Sequence, residues 1–357
     1  MQPTKTALIT GYTGQDGTFL TRHLLEQGYK VLGLVRRIST EPPRRTRGKF
    51  DFTEYLEDGR LELVEGDLLS VDSLIKILNA HRPHEIYNLA AQSHVGISFK
   101  QPEFTIEANF MGVVNLITAI ESVGQYGPAR YQETVRMYQA STSEMFGDYY
   151  KEDPDVSMTE HTPLRPNSPY AIAKAAAHAY CKMKREQGLY IACGILFNHE
   201  SEIRGGDFVT QKIARGVAHW MDTGEPIHLG NLDAMRDWGY AGDYVKAMAL
   251  MLQQDQPDDY VVGTGESHSV RDFVNAAFGA VGIELTSTNQ GTPEETMTSI
   301  RGPRGGTAVV VDPEFYRPND VNFLNGDSSK IQDLGWEPEH DFESLVKLMV
   351  EEARNNG

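Results

Sequence analysis

Two tyrosine and lysine pairs have the spacing needed for proton transfer on a helix. Tyr170 and Lys174 lie four residues apart, and Tyr180 and Lys184 repeat that spacing. Residues four apart share one helical face, where the ammonium favours the phenolate and lowers the pKa of the tyrosine. Such a tyrosine can take the proton of a substrate hydroxyl while hydride leaves the same carbon. Spacing alone does not choose between the pairs.

The start of the helix separates the two pairs. Ser168 and Pro169 have the residue types of an N-cap and a first helical position, so the sequence predicts that a helix begins there. Open parallel sheets bind ligands at the carboxyl ends of their strands, where helix N-termini also lie. Tyr170 lies in the first turn, whereas Tyr180 lies about 15 Å further along. We therefore expect Tyr170 and its lysine in the site, and a structural role for the second pair.

A run of hydroxyls and a carboxylate, Ser141 to Glu144, directly follows another predicted strand. Such a run can simply form a cap or a turn, because Ser and Thr bond local backbone groups. In a site, a hydroxyl would orient the substrate and the carboxylate would act as an acid or base. An enzyme that only oxidises and reduces a single alcohol would need no second acid or base, so Glu144 would have no role in its reaction. The sequence therefore favours proton abstraction next to a newly formed ketone.

Three glycines, Gly11, Gly14 and Gly17, follow the first predicted strand at three-residue spacing and open the next helix. Glycine lets the backbone turn tightly and approach a pyrophosphate, whose charge then lies at the helix N-terminus. The alternative is an ordinary glycine-rich turn. The position of the loop between a strand and a helix favours dinucleotide binding.

The end of the second predicted strand favours one dinucleotide. Folds that bind NAD usually have Asp or Glu there to hold the ribose hydroxyls, whereas this chain has Arg36 and Arg37. An arginine suits a 2′-phosphate, so we predict NADP; the alternative is a solvated charge pair. These arginines begin a basic segment, residues 36–49, whose two adjacent prolines favour an ordered loop or arm.

Short β-branched runs alternate with helix-like segments in the first half of the chain, which is typical of a parallel sheet with crossover helices. The sequence predicts an α/β protein with a Rossmann-type doubly wound parallel sheet and a smaller α/β C-terminal lobe for the substrate. The expected boundaries are 1–198, with later returning segments, for the first domain and 199–357 for the second. Strands are predicted at 6–10, 30–35, 60–64, 85–89, 137–141 and 190–197.

Two further segments carry predictions about the second lobe. Residues 286–307 contain few apolar side chains and predict a long loop, a lid or an insertion. Apolar residues recur with helical spacing between Phe342 and Val350 and predict a last amphipathic helix.

Composition limits the possible partners. The formal net charge of the 357 residues is −17, which disfavours nucleic acid and anionic membranes as partners. We find no uninterrupted apolar run long enough for a spanning helix and no spacing typical of a metal site. Cys181 and Cys193 fit buried or helical thiols rather than a disulfide framework. The first predicted strand begins at Thr6, which leaves no room for a signal peptide, and we expect a cytoplasmic protein.

With these motifs, the chain resembles the extended short-chain dehydrogenases/reductases, and within them the GDP-mannose 4,6-dehydratase family. The resemblance covers nearly the full length. It rests on the segments GYTGQDG, LVRRIS, GDL, NLAAQSHVGISF, ASTSEMFG, SPYAIAK, GILFNHES, FVTQKI, GNLDAMRDWGYAGDYVKAM, TGESHSVRDF, DPEFYRP and LGWEP.

The resemblance implies a reaction on GDP-mannose with bound NADP. Tyr170, supported by Lys174, helps to move hydride from C4 of the mannose, and Thr142 orients the C4 hydroxyl. Glu144, with Ser143 nearby, removes the C5 proton and assists loss of water from C6. The hydride then returns to C6, which gives GDP-4-dehydro-6-deoxymannose, the first step towards GDP-fucose or other GDP-deoxyhexoses.

The resemblance also implies binding residues. Cofactor contacts are expected at Gly11, Thr13, Gly14, Gln15, Asp16, Gly17, Arg36, Arg37, Ser39, Asp67, Leu68, Leu89, Gln92, Ser93, Tyr170, Lys174, His199 and Arg204. Contacts to the GDP-sugar are expected at Asn198, Val209, Lys212, Arg236, Arg317 and Asp320. Relatives form dimers or tetramers, so we expect a homodimer or homotetramer, with the 36–49 arm as a hypothetical contact to a neighbouring subunit.

The chain departs from the family pattern at several places. Phe104 stands where a tyrosine is frequent, and Glu202 and Ile203 replace a proline and an arginine beside the cofactor. Asp320 shortens a ribose contact by one methylene, the segment from Glu144 to the helix start is longer than usual, and 286–307 does not follow the pattern. These departures bear on nucleotide affinity rather than on the chemistry.

Two other functions have to be weighed. A nucleotide-sugar 4-epimerase or 4-keto reductase of the same fold needs the tyrosine and lysine but no carboxylate after Thr142, so Glu144 argues against both. A non-catalytic NADP-binding regulator should have lost one of the catalytic positions, and Thr142, Tyr170 and Lys174 are all present.

Overall fold

The computed structural model describes residues 5–36, 50–124, 131–149, 156–299, 305–315, 321 and 323–355. The strands are β1 (Thr6–Thr10), β2 (Lys30–Val35), β3 (Leu61–Glu65), β4 (Glu85–Asn88), β5 (Arg136–Thr142), β6 (Tyr190–Leu196), β7 (Asn198–Glu200), β8 (Ile227–Leu229), β9 (Met235–Tyr240), β10 (Asp259–Val262), β11 (Ser267–Ser269), β12 (Thr286–Thr288), β13 (Thr296–Ser299) and β14 (Gly306–Val311). The helices are α1 (Gln15–Glu26), α2 (Thr53–Glu57), α3 (Val71–His81), α4 (Val95–Lys100), α5 (Pro102–Ile106), α6 (Gly112–Gly124), α7 (Tyr131–Thr134), α8 (Pro169–Glu186), α9 (Val209–Thr223), α10 (Ala241–Met251), α11 (Val270–Gly279), α12 (Ser329–Gln332) and α13 (Phe342–Asn355).

The central sheet is parallel throughout and has the strand order β10, β6, β5, β4, β1, β2, β3. The direction of strand order reverses between β1 and β4, and the ligand crevice of such a sheet lies at the carboxyl ends of these strands. This confirms the predicted Rossmann-type doubly wound fold. Each predicted strand agrees with the structure to within one residue at either end.

Alternating side chains of the strands build a core on each face of this sheet. Ala7 and Ile9 of β1 pack with α1 and α10, whereas Leu8 packs on the opposite face with α3 and α6. Both faces of β1 are therefore buried, which is why its sequence is apolar without polar alternation.

The second half of the chain adds two smaller sheets, β11-β9-β7 and β12-β13-β14-β8. They share a core with α9, α11 and α13, in which Trp220, Trp238 and Phe273 are buried. Helix α13 buries the predicted apolar stripe, from Phe342 to Val350. Strand β10 and helix α10 return to the central sheet. The domain boundary at 198/199 stays a prediction.

The predicted loop over 286–307 is wrong. Strands β12 and β13 pair as an antiparallel hairpin, and β13 also pairs with β14. Sequence periodicity missed them because one face of the hairpin is solvated and few apolar residues are needed: Met297 and Ser299 are buried between partly exposed threonines. Residues 300–304 lie outside the described residues.

One helical stretch among the described residues, Pro102–Val123, is long and apolar enough by composition to cross a membrane. It runs through α5, a π-helical turn (Glu107–Met111) and α6. Leu116, Ile117 and Ile120 of this stretch are buried in the core that α6 shares with α3. Burial inside the protein thus accounts for part of the apolar character of this stretch, whereas Phe104, Ile106 and Met111 are exposed.

Candidate active site

The glycine loop is shaped by close backbone contacts. Gly11 has a φ of +69°, and a Cβ placed there would lie 2.7 Å from the backbone nitrogen of Ala90. A Cβ on Gly17 would lie 2.4 Å from the carbonyl oxygen of Gly11, and the amide of Gly14 donates to that same oxygen at 2.9 Å. The loop therefore needs glycine at two of its three regularly spaced glycine positions for steric reasons, and it leaves the N-terminus of α1 open.

A cavity of about 1510 Å³ lies over this loop and extends to the second lobe. Every sequence-predicted site residue that the structure describes lines it. These residues are Gly11, Thr13, Gly14, Gln15, Asp16, Gly17, Arg36, Asp67, Leu68, Leu89, Gln92, Ser93, Thr142, Ser143, Glu144, Tyr170, Lys174, Asn198, His199, Arg204, Val209, Lys212 and Arg236. Arg37, Ser39, Arg317 and Asp320, and with them most of the 36–49 segment, lie outside the described residues.

Helix α8 begins as the sequence predicts. Ser168 caps it by accepting a hydrogen bond from the amide of Ala171 at 3.1 Å, and Pro169 is the first helical residue. Tyr170 therefore lies at the cavity end of α8 with Lys174 one turn later, and both side chains are buried. The Thr142 side chain lies close enough to the Tyr170 hydroxyl to lower the pKa of the tyrosine.

The expected low pKa of Tyr170 is not found. Burial raises the pKa of Tyr170 to about 12, although the nearby Thr142 side chain acts in the opposite direction. Burial also lowers the pKa of Lys174 to about 8. The Lys174 ammonium donates to the carbonyl oxygen of Ala140 at 2.9 Å and lies 6.0 Å from the centroid of the tyrosine ring. Desolvation thus outweighs the effect of the nearby cation on the tyrosine.

Glu144 follows Thr142 in a 3₁₀ turn, Ser143–Phe146, at the end of β5. The amide of Glu144 donates to the hydroxyl of Thr142 at 3.3 Å, so the two residues hold each other in place. Ser143 and Glu144 are buried, and the carboxylate of Glu144 is near enough to Tyr170 to raise the pKa of the tyrosine further. One strand end thus brings a hydroxyl and a carboxylate to the tyrosine.

Asp16 and His199 form an ion pair where α1 meets β7. Their closest atoms, Oδ2 and Nε2, are 2.9 Å apart. Burial by itself raises the pKa of Asp16, but the His199 imidazole outweighs it and lowers the pKa to about 2. Gln15 donates to the carbonyl oxygen of His199 at 3.1 Å and accepts from Ser201 at 2.7 Å. These contacts fasten the second lobe to the helix that the glycine loop opens.

Cations from the second half of the chain also line the cavity. Arg236 on β9 is buried, and its Nη1 donates to the carbonyl oxygen of Met235 at 2.8 Å. The Lys212 ammonium lies 3.4 Å from the centroid of the Phe315 ring, and burial lowers the pKa of Lys212. Arg204 pairs with Glu200 at 3.0 Å. Val209, the first residue of α9, and Asn198 complete the predicted set.

The departures from the family pattern have clear places in the structure. Phe104 lines the cavity and is 43% exposed. Glu202 is buried beside Tyr240, where burial and then this carboxylate raise the pKa of the Tyr240 hydroxyl. Ile203 packs against the core of the central sheet. Arg204 is therefore the cation that this segment contributes to the cavity.

The second tyrosine and lysine pair lies away from the cavity, as predicted. Tyr180 packs edge-on against Phe110, and Lys184 forms an ion pair with Glu121 at 2.7 Å. The sequence analysis missed one polar residue on the same helix, His178, which bonds Ser141 beside the catalytic threonine. The signal was present, because His178 continues the four-residue spacing of Tyr170 and Lys174.

Comparisons with known proteins agree with this geometry. The family model for GDP-mannose 4,6 dehydratase matches residues 8–349. The GDP-mannose 4,6 dehydratases of Drosophila melanogaster and Homo sapiens are each 44% identical to the chain, over 97% and 98% of it and 85% and 91% of their own lengths. The Vibrio cholerae GDP-mannose 4,6-dehydratase is 42% identical over 98% of the chain and 93% of its own length.

Solved structures share the fold. The Thermus thermophilus UDP-glucose 4-epimerase in complex with NAD has a TM-score of 0.78 at 24% identity, with 99% of this chain and 100% of that chain covered. The Streptomyces venezuelae dTDP-glucose 4,6-dehydratase with NAD and TYD bound has a TM-score of 0.76 at 23% identity, with coverages of 98% and 97%. By its sequence matches, the chain belongs to the GDP-mannose 4,6-dehydratase family.

Proposed function

We propose that the protein is a hydro-lyase that converts GDP-mannose to GDP-4-dehydro-6-deoxymannose and water. The observation that carries this proposal is the carboxylate of Glu144, which lies buried at the strand end that also brings Thr142 to Tyr170. A 4-epimerase or a 4-keto reductase has no use for a base at that place. Membership of the dehydratase family supports the same substrate.

The side chains divide the proton transfers among them. Tyr170 takes the proton of the mannose C4 hydroxyl, which Thr142 orients, and the Lys174 ammonium favours the phenolate that acts as base. The C4 ketone makes the C5 proton acidic, and Glu144 removes it. Glu144, with Ser143 beside it, then delivers a proton to the leaving C6 hydroxyl. The double bond between C5 and C6 is reduced at C6 and reprotonated at C5, so the reaction has no net oxidation.

The residues at the glycine loop fit a nicotinamide dinucleotide. A Cβ at Gly11 or Gly17 would clash with neighbouring backbone, so glycine allows the tight turn that opens the N-terminus of α1, where a pyrophosphate binds in such folds. When bound, such a cofactor supplies a reversible acceptor for hydride. We propose NADP because Arg36 directly follows β2 and lines the cavity, where an arginine suits a 2′-phosphate. Arg37 and Ser39 are predicted contacts outside the described residues.

The second lobe would hold the GDP-sugar. Arg236 and Lys212 supply cations for the diphosphate, and Asn198 and Val209 line the same part of the cavity. Arg317 and Asp320 are predicted contacts outside the described residues.

A cytoplasmic location and a homodimer or homotetramer are part of the proposal. The two free, buried cysteines fit a reducing compartment. The contact between the 36–49 arm and a neighbouring subunit stays a hypothesis, and removal of the arm should weaken assembly or NADP affinity.

The test is incubation of the purified protein with GDP-mannose and no added cofactor. We expect a product that is lighter by one water, and in heavy water a product with solvent deuterium at C5. A product of unchanged mass with an inverted sugar would support an epimerase instead. A requirement for one reduced cofactor per product would support a reductase.

A further inference from the structure

A buried polar cluster lies behind the active site, and of its members only Ser141 also lines the cavity. His178 on α8, Cys193 on β6 and Asp259 on β10 place their imidazole, thiol and carboxylate atoms within 4.8 Å of one another. Ser141 on β5 is also buried and lies on the other side of the imidazole. The cluster therefore joins one helix and three neighbouring strands of the central sheet.

The contacts within the cluster form a chain. Nδ1 of His178 lies 2.9 Å from the Ser141 hydroxyl, and Nε2 lies 3.6 Å from a carboxylate oxygen of Asp259. The other carboxylate oxygen accepts a hydrogen bond from Arg185 at 2.5 Å. The same guanidinium lies 3.6 Å from the Cys193 sulfur.

This arrangement fits a charge network better than a metal site. The Arg185 guanidinium already contacts both Asp259 and Cys193, so a metal cation would have to displace another cation from a buried space. Burial by itself lowers the pKa of His178, but the Asp259 carboxylate acts in the opposite direction, and this pKa is raised to about 10. The imidazole is therefore protonated at neutral pH, and its Nδ1 donates to Ser141.

His178 lies on the same face of α8 as the predicted catalytic residues Tyr170 and Lys174. Tyr170, Lys174 and His178 follow one another at four-residue steps, so they lie along one face of α8. They face neighbouring groups of one strand end: Lys174 donates to the carbonyl oxygen of residue 140, His178 bonds the Ser141 hydroxyl, and Tyr170 lies near the Thr142 side chain, which lowers its pKa. His178 makes the third of three polar contacts between α8 and β5.

We propose that His178 is a positioning residue for the dehydration. As a cation held by Asp259, it fixes the Ser141 hydroxyl and thereby holds the adjacent Thr142 against Tyr170. This inference rests on the proposed function. The acid and base chemistry stays with Tyr170 and Glu144, because His178 does not reach the cavity.

The charged and titratable groups that face His178 come from each element packed around it. Helix α8 contributes Arg185 and Cys181, β6 contributes Cys193, and β10 contributes Asp259, with Asp258 next to it. The Asp259 carboxylate is the anion in contact with the imidazole, so Asp259→Asn should reproduce the effect of losing the histidine.

The experiment compares Ser141→Ala, His178→Phe and the double variant. Ser141→Ala removes one hydroxyl, and His178→Phe keeps the ring without its polar atoms. We expect each single variant to lose about tenfold in kcat with KM for GDP-mannose unchanged, because a displaced Thr142 weakens the transition state more than substrate binding. The double variant should be no slower than the slower single variant, since both break the same link.

Two further variants complete the design. His178→Asn keeps a donor near the position of Nδ1 and should recover part of the lost kcat. Lys184→Met, which removes an ion pair from the outer part of the same helix, should leave kcat within twofold and thus report general damage to α8.

Several outcomes would overturn the inference. It fails if the two single losses multiply in the double variant, if either single variant keeps the unaltered kcat, or if KM rises with kcat unchanged. Stoichiometric zinc in the purified protein would also overturn it, because a metal excludes the protonated imidazole. Failure of the unaltered protein to dehydrate GDP-mannose would instead refute the proposed function.

Discussion

Burial changes the pKa of the groups that would transfer protons. It raises the pKa of Tyr170 to about 12 and lowers that of Lys174 to about 8, so the phenol is neutral at neutral pH. The nearby Thr142 side chain opposes this rise and therefore favours the phenolate. Glu144 acts in the opposite sense, because its negative charge disfavours a second anion nearby. The distances from the Tyr170 hydroxyl to Thr142 and Glu144 thus affect how readily the Tyr170 phenolate forms.

Replacing the carboxylate tests the role of Glu144. Glu144→Gln keeps the size of the side chain but cannot take the C5 proton, so dehydration should fall by at least about a thousandfold. Binding of GDP-mannose, measured by calorimetry, should change by less than about threefold. Dehydration by this variant at the unaltered rate would show that another group is the base.

Arg36 tests the choice of dinucleotide. Arg36→Ala removes one partner of the expected 2′-phosphate, and a lost charged hydrogen bond costs about 1.5–3 kcal/mol, or roughly ten- to a hundredfold in affinity. The Kd of NADP⁺ should rise accordingly, whereas that of NAD⁺ should stay the same. An equal loss for both dinucleotides would refute a contact to the 2′-phosphate.

At the scale of elements, two short segments shape the site. The glycine loop brings the N-terminus of α1 to the cavity, and the capped start of α8 brings Tyr170 to the end of β5. Both segments lie at the carboxyl ends of the sheet strands. A small shift of the glycine loop would displace the cofactor-binding residues, and a small shift of the start of α8 would displace Tyr170.

Gly17 tests the glycine loop. Gly17→Ala would place a Cβ 2.4 Å from the carbonyl oxygen of Gly11, so the loop has to open. We expect loss of most of the bound nicotinamide cofactor, measured after denaturation of the purified protein. Gly279→Ala is the matched control, because nothing lies within 4 Å of its added Cβ. Full cofactor content in Gly17→Ala would contradict the assignment of the loop.

Arg271 forms ion pairs beside the hairpin that replaces the predicted loop. Arg271 donates to the buried carboxylate of Glu295 at 3.0 Å and also pairs with Asp233 at 2.7 Å. Arg271→Ala leaves Glu295 without its cation and should lower the free energy of unfolding by about 2–3 kcal/mol in urea. Arg22→Ala, which removes an exposed pair on α1, should cost less than about 0.5 kcal/mol. Equal costs would contradict this role of the ion pair.

At the scale of the whole molecule, charge is distributed unevenly. The net charge is −17, yet residues 36–49 hold five arginines and one lysine against one glutamate. The acidic remainder repels polyanions, while the basic segment suits a small phosphorylated ligand. Charge is also placed inside the fold, where the Arg185, Asp259 and His178 network ties α8 to the returning strand β10.

This buried network predicts a pH dependence of stability. The pKa of His178 is raised from its ordinary 6.5 to about 10, so its contribution is fully present below pH 6.5 and is lost as the pH rises through 10. In urea at pH 6 the unaltered protein should exceed His178→Phe in stability by a few kcal/mol, and the gap should shrink by pH 9.5. A gap that does not change with pH would show that His178 is neutral in the folded protein.

The helix start and the glycine loop of the site could be predicted from the sequence, because residues adjacent in the chain determine both. Ser168 and Pro169 start α8, and the glycines between β1 and α1 turn the chain, so Tyr170 and the dinucleotide loop are predictable from residue types alone. Short β-branched runs likewise predicted six of the seven strands of the central sheet, but not the returning strand β10. The sequence pattern also failed at β12 and β13, because a hairpin with one solvated face needs few apolar residues.

The sequence by itself determined the fold class, the order of the catalytic groups and the helix that carries them, since these depend on neighbours along the chain. Only the tertiary structure decided which distant groups meet: His178 with Asp259, Asp16 with His199, and both lobes around one cavity. It also decided the sign of the pKa shift of Tyr170, because desolvation depends on everything packed around the phenol and not on the lysine four residues away.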